Sequence, residues 1–288
     1  MHASTRRSHL TPNRSPARWR HALYTFAALL TVAVMQLFMG SFTVALEPFG
    51  VKLGVFEPGV PRFVDAWYQA QWAVLSAILP CGALLASLRR PTERPLLIQF
   101  FALVVSLVAL TFVVVPGPED TANIGLELLI AAGIPLGLAL STYPAPRALL
   151  RRPWRAPVHL PTLVASAVMA LALLPITLRE AHLQATTRDY LAQHLTHASA
   201  VTLALLLTAG GLLSAFGTPG ARVIRILVGL SLLYLGLCAF ATVERAGSWG
   251  APGGAAALLG GLVFLTLPAW SGRRVGSNAA RDRHDEGH

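Results

Sequence analysis

The chain has 288 residues and a net charge of +10, yet only 12% of its side chains are charged, against roughly 25% in soluble domains. A water-soluble globule of this length needs a charged shell, and these charges instead fall in short bursts between long apolar runs. Basic residues set beside apolar runs orient a chain in a bilayer rather than follow a nucleic-acid backbone. The expected partner is therefore the lipid bilayer and not nucleic acid.

Apolar runs of about 18 residues or more read as spans, because each must cross roughly 30 Å of hydrocarbon at about 1.5 Å per residue. The runs are continuous in Leu, Ala and Val without strict alternation, so they are helices rather than barrel strands. In chain order, residues 1–20 form a basic tail predicted to be disordered. The first span covers 21–46. Its apolar run is longer than the core of a cleavable signal, so it reads as an uncleaved signal-anchor, and Arg6-Arg7 as ordinary positive charge. Further spans are predicted at 72–88, 96–115, 124–142, 160–178, 198–216, 223–242 and 254–270. The expected fold class is an all-α integral membrane protein with eight transmembrane helices.

The arginines set an orientation. The N-terminal tail, the second, fourth and sixth connections and the C-terminal tail together carry 18 basic residues, among them Arg89, Arg90, Arg151, Arg152, Arg222 and Arg225. The other side carries five: Lys52, Arg62, Arg179, Arg188 and Arg245. Positive residues are retained inside, so both termini are expected in the cytoplasm. A single lysine among so many arginines is the usage of a GC-rich bacterial genome, which points to a bacterial plasma membrane. All six tryptophans fall at span ends or in loops, where an indole settles at the headgroup boundary.

An offset of 128 residues aligns Gly82-Ala83-Leu84-Leu85 with Gly210-Gly211-Leu212-Leu213, Pro91 with Pro219, Arg94 with Arg222 and Ile98 with Ile226. This spacing predicts two four-helix units, 21–143 and 160–270, followed by a cytoplasmic tail at 271–288. An even number of spans per unit makes the two parallel, related by an axis along the membrane normal.

Small residues at Gly133 and Gly137, at Gly253, Ala257 and Gly261, and at Ala200, Ala204 and Thr208 predict close helix contacts. Pro80, Pro135 and Pro175 are expected to kink their helices and free carbonyls. Cys81 and Cys238 lie inside apolar runs and read as small buried hydrophobes; neither a disulfide nor a metal site is expected from them.

The ligand or ion candidates are Glu127, His182, His194, His197 and Asp65. Glu127 sits about one turn inside the outer end of the fourth span, where a carboxylate is costly and either finds a partner or reaches the interface. Residues 179–197 hold Arg179, Glu180, His182, Asp189, His194 and His197. Leu183, Tyr190, Leu191 and Leu195 suggest an amphipathic helix on the outer surface. On such a helix His194 and His197, at i,i+3, share a face. Two imidazoles and a carboxylate are donors a divalent metal accepts, but no signature spacing such as His-Glu-x-x-His is present, so no metal or cofactor is assigned. Asp65 belongs to the outer segment 47–71 with Phe63, Trp67, Tyr68 and Trp72, read as an interfacial aromatic anchor.

Eight spans in two units are similar in layout to heme A synthase, whose histidine ligands lie within the helices. Here none of the nine histidines is mid-span. The polar, aromatic start at Asp65 to Trp72, the apolar helix, the short Arg/Pro turn and the next apolar helix resemble the DoxX-like four-helix membrane proteins. That resemblance covers residues 63 to 115 and, through the duplication, their copy. It implies a four-helix membrane unit and, lacking a residue-level motif, assigns no functional residue.

Three functions stay open. The first is a polytopic inner-membrane protein acting through lipids or protein partners, itself included, without chemistry of its own. The second is a secondary transporter of a small solute or ion with an outward-facing site. The third is a membrane-embedded enzyme acting on a lipid or isoprenoid.

Overall fold

A computed structural model describes residues 15–39, 45–50, 65–114, 133–150, 156–193, 195–245 and 247–268. Within them stand eight main helices: α1 Ser15–Met39, α2 Ala66–Leu88, α3 Pro95–Val114, α4 Gly133–Thr142, α5 Leu160–Thr186, α6 Thr196–Ser214, α7 Ala221–Ala241 and α8 Gly250–Thr266. No strand occurs among the described residues; the one β-bridge joins Val158 to Phe216. Each of the eight predicted spans therefore holds a helix over at least part of its length. Four of them (α2, α5, α6 and α7) are long and apolar enough to cross a membrane.

Neighbours in the chain pack as neighbours in space. α1 lies on α2, α2 on α3, α5 along α6, α6 on α7 and α7 along α8, while α3–α6 and α2–α7 contacts join the two halves. The core between the halves is built from Leu79, Leu84, Phe100, Phe101, Leu203, Leu206 and Val228, all buried. α5 shows how a helix chooses its faces. Thr162, Ser166, Met169, Leu173 and Glu180 are buried, whereas Leu160, Val164, Val168, Leu171 and Leu178 are exposed. The first set steps by four, three, four and then seven residues (two turns), and leans on the bundle; the second is the greasy face expected against lipid.

Two sequence features act locally. Pro80 has no N–H to give the Ser76 carbonyl, and α2 absorbs the loss as a π turn at Val74–Ile78, with the Leu79 N–H reaching Val74. The Cys81 thiol then donates to the freed Ser76 carbonyl at 3.4 Å. The small-residue prediction holds in α8 with a shifted register. Gly254 and Gly261 face Gly236 and Gly229 of α7 so closely that a Cβ on Gly236 would stand 2.9 Å from the Gly254 carbonyl. Gly133 and Gly137 meet no such neighbour among the described residues.

Two expectations are corrected here. Trp67 and Tyr68 are not a headgroup anchor: both are buried inside the bundle, because α2 begins at Ala66 and turns this face toward α6 and α7. Nor do residues 179–197 form one amphipathic surface helix. α5 runs on to Thr186, a four-residue turn follows at Tyr190–Gln193, and α6 starts at Thr196. Nothing breaks α5 before Thr187, and Asp189 then accepts the Ala192 N–H at 2.9 Å to start the next turn.

Candidate functional site: a buried Tyr–Glu–His cluster

The start of α2, the end of α5 and the start of α6 meet at one end of the bundle. Asp65 caps α2, its Oδ1 accepting the Trp67 N–H at 3.0 Å. That cap fixes where the helix begins and turns Tyr68 inward. Glu180 falls on the inward stripe of α5, two turns before that helix ends. His197 is the second residue of α6, set there by two bonds to Gln184 of α5. The Gln184 Nε2 donates to the Ala192 carbonyl at 3.0 Å, and its Oε1 accepts the Ala198 N–H at 3.1 Å. Between the two helices Leu195 adopts φ 54°, the only non-glycine residue in the left-handed region among those described. A backbone held in that region beside a buried polar pair is strained by about 1–3 kcal/mol, and such positions concentrate at functional sites.

Glu180 and His197 are 2% and 3% exposed, and His197 Nδ1 lies 2.6 Å from Glu180 Oε2. A carboxylate only accepts, so with Glu180 ionised Nδ1 carries the proton and donates it. The Tyr68 hydroxyl sits 3.5 Å from the same Oε2 and 3.4 Å from Nδ1, with its ring edge-on to the imidazole at 5.8 Å. Gly247 closes the cluster from the α7–α8 loop. Its φ is +78°, and a Cβ there would collide with the Tyr68 hydroxyl, so both backbone and space require glycine. Beside it Trp67 and Trp249 stack edge-to-face at 5.1 Å.

The other ring nitrogen decides what the arrangement can do. His197 Nε2 is buried without a hydrogen-bond partner among the described residues, as are Trp67 Nε1, Gln69 Oε1 and Gln71 Oε1. A buried polar atom left unpaired costs about 1–3 kcal/mol, so each of these atoms calls for a partner beyond the described side chains. An imidazole whose Nδ1–H is held by a carboxylate presents Nε2 as a base or ligand of fixed tautomer. The chemistry available is to take up a proton, pass it to the carboxylate, or accept a hydrogen bond from a bound solute. Among the described residues no three His, Cys, Asp or Glu side chains converge, so this donor set does not build a three-ligand metal site.

No family model, curated protein or solved structure matches the chain. The site's own residues therefore carry the functional argument.

Of the sequence candidates, His197 is at the centre. Asp65 is nearby as a helix cap, and His182 is on the exposed face of α5. Glu127 and His194 lie outside the described residues, and with His194 the i,i+3 pairing expected between it and His197. Sequence reasoning missed Glu180 and Tyr68 as partners. The signal for Glu180 was the 3–4 spacing from Thr162 through Ser166, Met169 and Leu173, which continues to position 180.

Proposed function

We propose that this is a proton-coupled secondary transporter of a small polar solute, with Tyr68, Glu180 and His197 as its protonatable site. One observation carries the reading: a buried carboxylate and imidazole share a 2.6 Å hydrogen bond between two long apolar helices, with His197 Nε2 unpartnered among the described residues. Ionisable groups inside membrane helices are costly and mark ion pathways and proton relays. The cluster stands at the end of the bundle formed by the start of α2 and the turn between α5 and α6, which the arginine asymmetry assigns to the outer side.

The same reading takes the protein as an eight-span plasma-membrane protein with both termini in the cytoplasm, built as two parallel four-helix units. The alternation of arginine-rich connections supports the span count. A reciprocal contact supports the duplication. Gly82 of α2 approaches Leu227 of α7, and Gly210, its partner at the 128-residue offset, approaches Phe100 of α3. Phe100 in turn corresponds to Val228, the residue after Leu227. Such exchanged contacts are what a two-fold axis between parallel units produces. Reporter fusions at the N-terminus, near Arg151 and at the C-terminus should all read cytoplasmic; a periplasmic C-terminus would refute the even span count.

The transport reading is tested with purified protein in liposomes enclosing a pH-sensitive dye. Amines, amino acids, carboxylates and sugars are added outside in turn. One class should drive proton movement above that of empty liposomes, and Glu180→Gln and His197→Gln should each abolish it. If no class does so, or if both variants behave as the parent, the reading is wrong.

A further inference from the structure

The opposite end of the bundle carries a second polar feature, and it is built unlike the first. A cavity of about 240 Å³ lies where α5, α6 and α7 meet, lined by His159, Thr162, Ser214, Thr218, Arg222 and Arg225 among others. Arg225 is 6% exposed. One of its terminal nitrogens donates to the Pro268 carbonyl at 2.9 Å, which holds the guanidinium in place, yet its Nε has no partner among the described residues. The Thr218 hydroxyl is likewise buried and unpartnered. No carboxylate among the described residues pairs with Arg222 or Arg225. Two guanidiniums and the N-terminus of the 21-residue α7 thus face a polar hollow with no counter-charge among the described residues.

The hollow borders an apolar groove through the first turn of α5. His159 and Thr162 line the hollow, and Leu160 and Pro161 between them line the groove. The groove has a volume of about 820 Å³ and runs between α5 and α8 from Leu160 and Phe264 to Ile176 and Trp249, with Gly253 and Gly260 in its lining. From Leu160 to Ile176 it extends about 24 Å at roughly 1.5 Å per residue, more than the ~15 Å depth of one leaflet's hydrocarbon. Every residue lining it is apolar.

We infer that this end of the bundle binds an anionic phospholipid from the surrounding bilayer. Arg222, Arg225 and Thr218 take its phosphate headgroup, and an acyl chain lies in the α5–α8 groove. Charge complementarity selects the headgroup: a positioned guanidinium with no carboxylate partner among the described residues fits phosphate, and basic pockets between membrane helices are sites for acidic lipid headgroups. The adjoining groove selects a lipid over a free phosphate, which would need only the hollow.

Native mass spectrometry of the full chain in detergent, titrated with phosphatidylglycerol and phosphatidylcholine of matched chains, tests this. The parent should prefer phosphatidylglycerol by about thirtyfold, at about fivefold per arginine plus the helix terminus. Arg222→Gln, at an exposed position whose loss leaves the fold intact, should weaken that preference about fivefold. Arg222→Gln with Arg225→Gln should abolish it. Gly260→Leu should weaken both lipids together, because its new side chain enters the groove from a position where a Cβ makes only an ordinary contact with Leu232. Equal binding of the two lipids by the parent would overturn the inference. So would an unchanged preference in Arg222→Gln, unchanged binding in Gly260→Leu, or displacement of the lipid by an equal concentration of glycerol 3-phosphate.

Discussion

Removing His197 alone should cost more than removing both members of the Glu180–His197 pair. With His197→Leu the carboxylate keeps its burial, 2% exposed, and loses its 2.6 Å donor. An uncompensated buried charge of this kind destabilises a fold by about 3–5 kcal/mol. Glu180→Leu leaves His197 Nδ1 with the Tyr68 hydroxyl at 3.4 Å as its remaining partner, and should cost about 1–3 kcal/mol for the hydrogen bond lost to a charged group. The double variant leaves no polar atom of the pair; the apolar replacements are themselves close to neutral, and the cost is the buried Tyr68 hydroxyl left without these two partners, about 1–3 kcal/mol. The two substitutions should therefore be non-additive by at least about 2 kcal/mol, within the range of residues in direct contact. Denaturant unfolding in mixed micelles of the parent, both single variants and the double variant measures this. A coupling near 0.6 kcal/mol, the average for interhelical hydrogen bonds in membranes, would refute the claim that a buried charge is compensated here. The double variant also separates stability from function: it should stay folded and move no protons.

Other perturbations test neighbouring parts of the argument. Gly236→Ala places a methyl 2.8 Å from Leu258 and 2.9 Å from the Gly254 carbonyl, so unfolding should shift by about 1–3 kcal/mol as overpacking does, while Gly133→Ala should stay within about 0.5 kcal/mol. Gly247→Ala sets a methyl into the Tyr68 hydroxyl at a φ of +78°; proton movement in liposomes should fall along with about 1–3 kcal/mol of stability, and unchanged transport would remove Tyr68 from the site. Asp65→Ala removes only the cap on Trp67 and should cost about 1 kcal/mol with proton coupling retained; loss of coupling in a folded variant would return Asp65 to the list of ligand candidates.

The helices were legible because the bilayer demands them: apolar runs predict where a helix stands, and a helix stands at each of the eight places. What the runs could not predict was where helices stop. α5 passes its predicted end at 178 and continues to Thr186, because hydropathy falls at Arg179 and Glu180 while helix propensity does not. A polar residue ends a hydrophobic window, but only a cap, a glycine or a proline ends a helix. The same confusion moved Trp67 and Tyr68 to the membrane surface, since an aromatic pair near a span's start looks the same whether it faces headgroups or another helix.

Glu180 shows the consequence for the site. Read as part of a polar stretch of sequence, it belongs with Arg179 and His182 on the outside, and those two are indeed exposed. Read along the helix, it continues the register of Thr162, Ser166, Met169 and Leu173, a chain of threes and fours that places it on the face α5 presents to α6. The difference between the readings is 100° of rotation per residue, which composition cannot see and periodicity can. His197 had no such register to betray it, because α6 begins one residue earlier, after the strained Leu195. Its burial follows from three-dimensional facts alone: the Gln184 clamp, the Tyr68 ring beside it and the carboxylate opposite. A site assembled from the ends of three helices is therefore half written in periodicity, through Glu180, and half in the turns that bring those ends together.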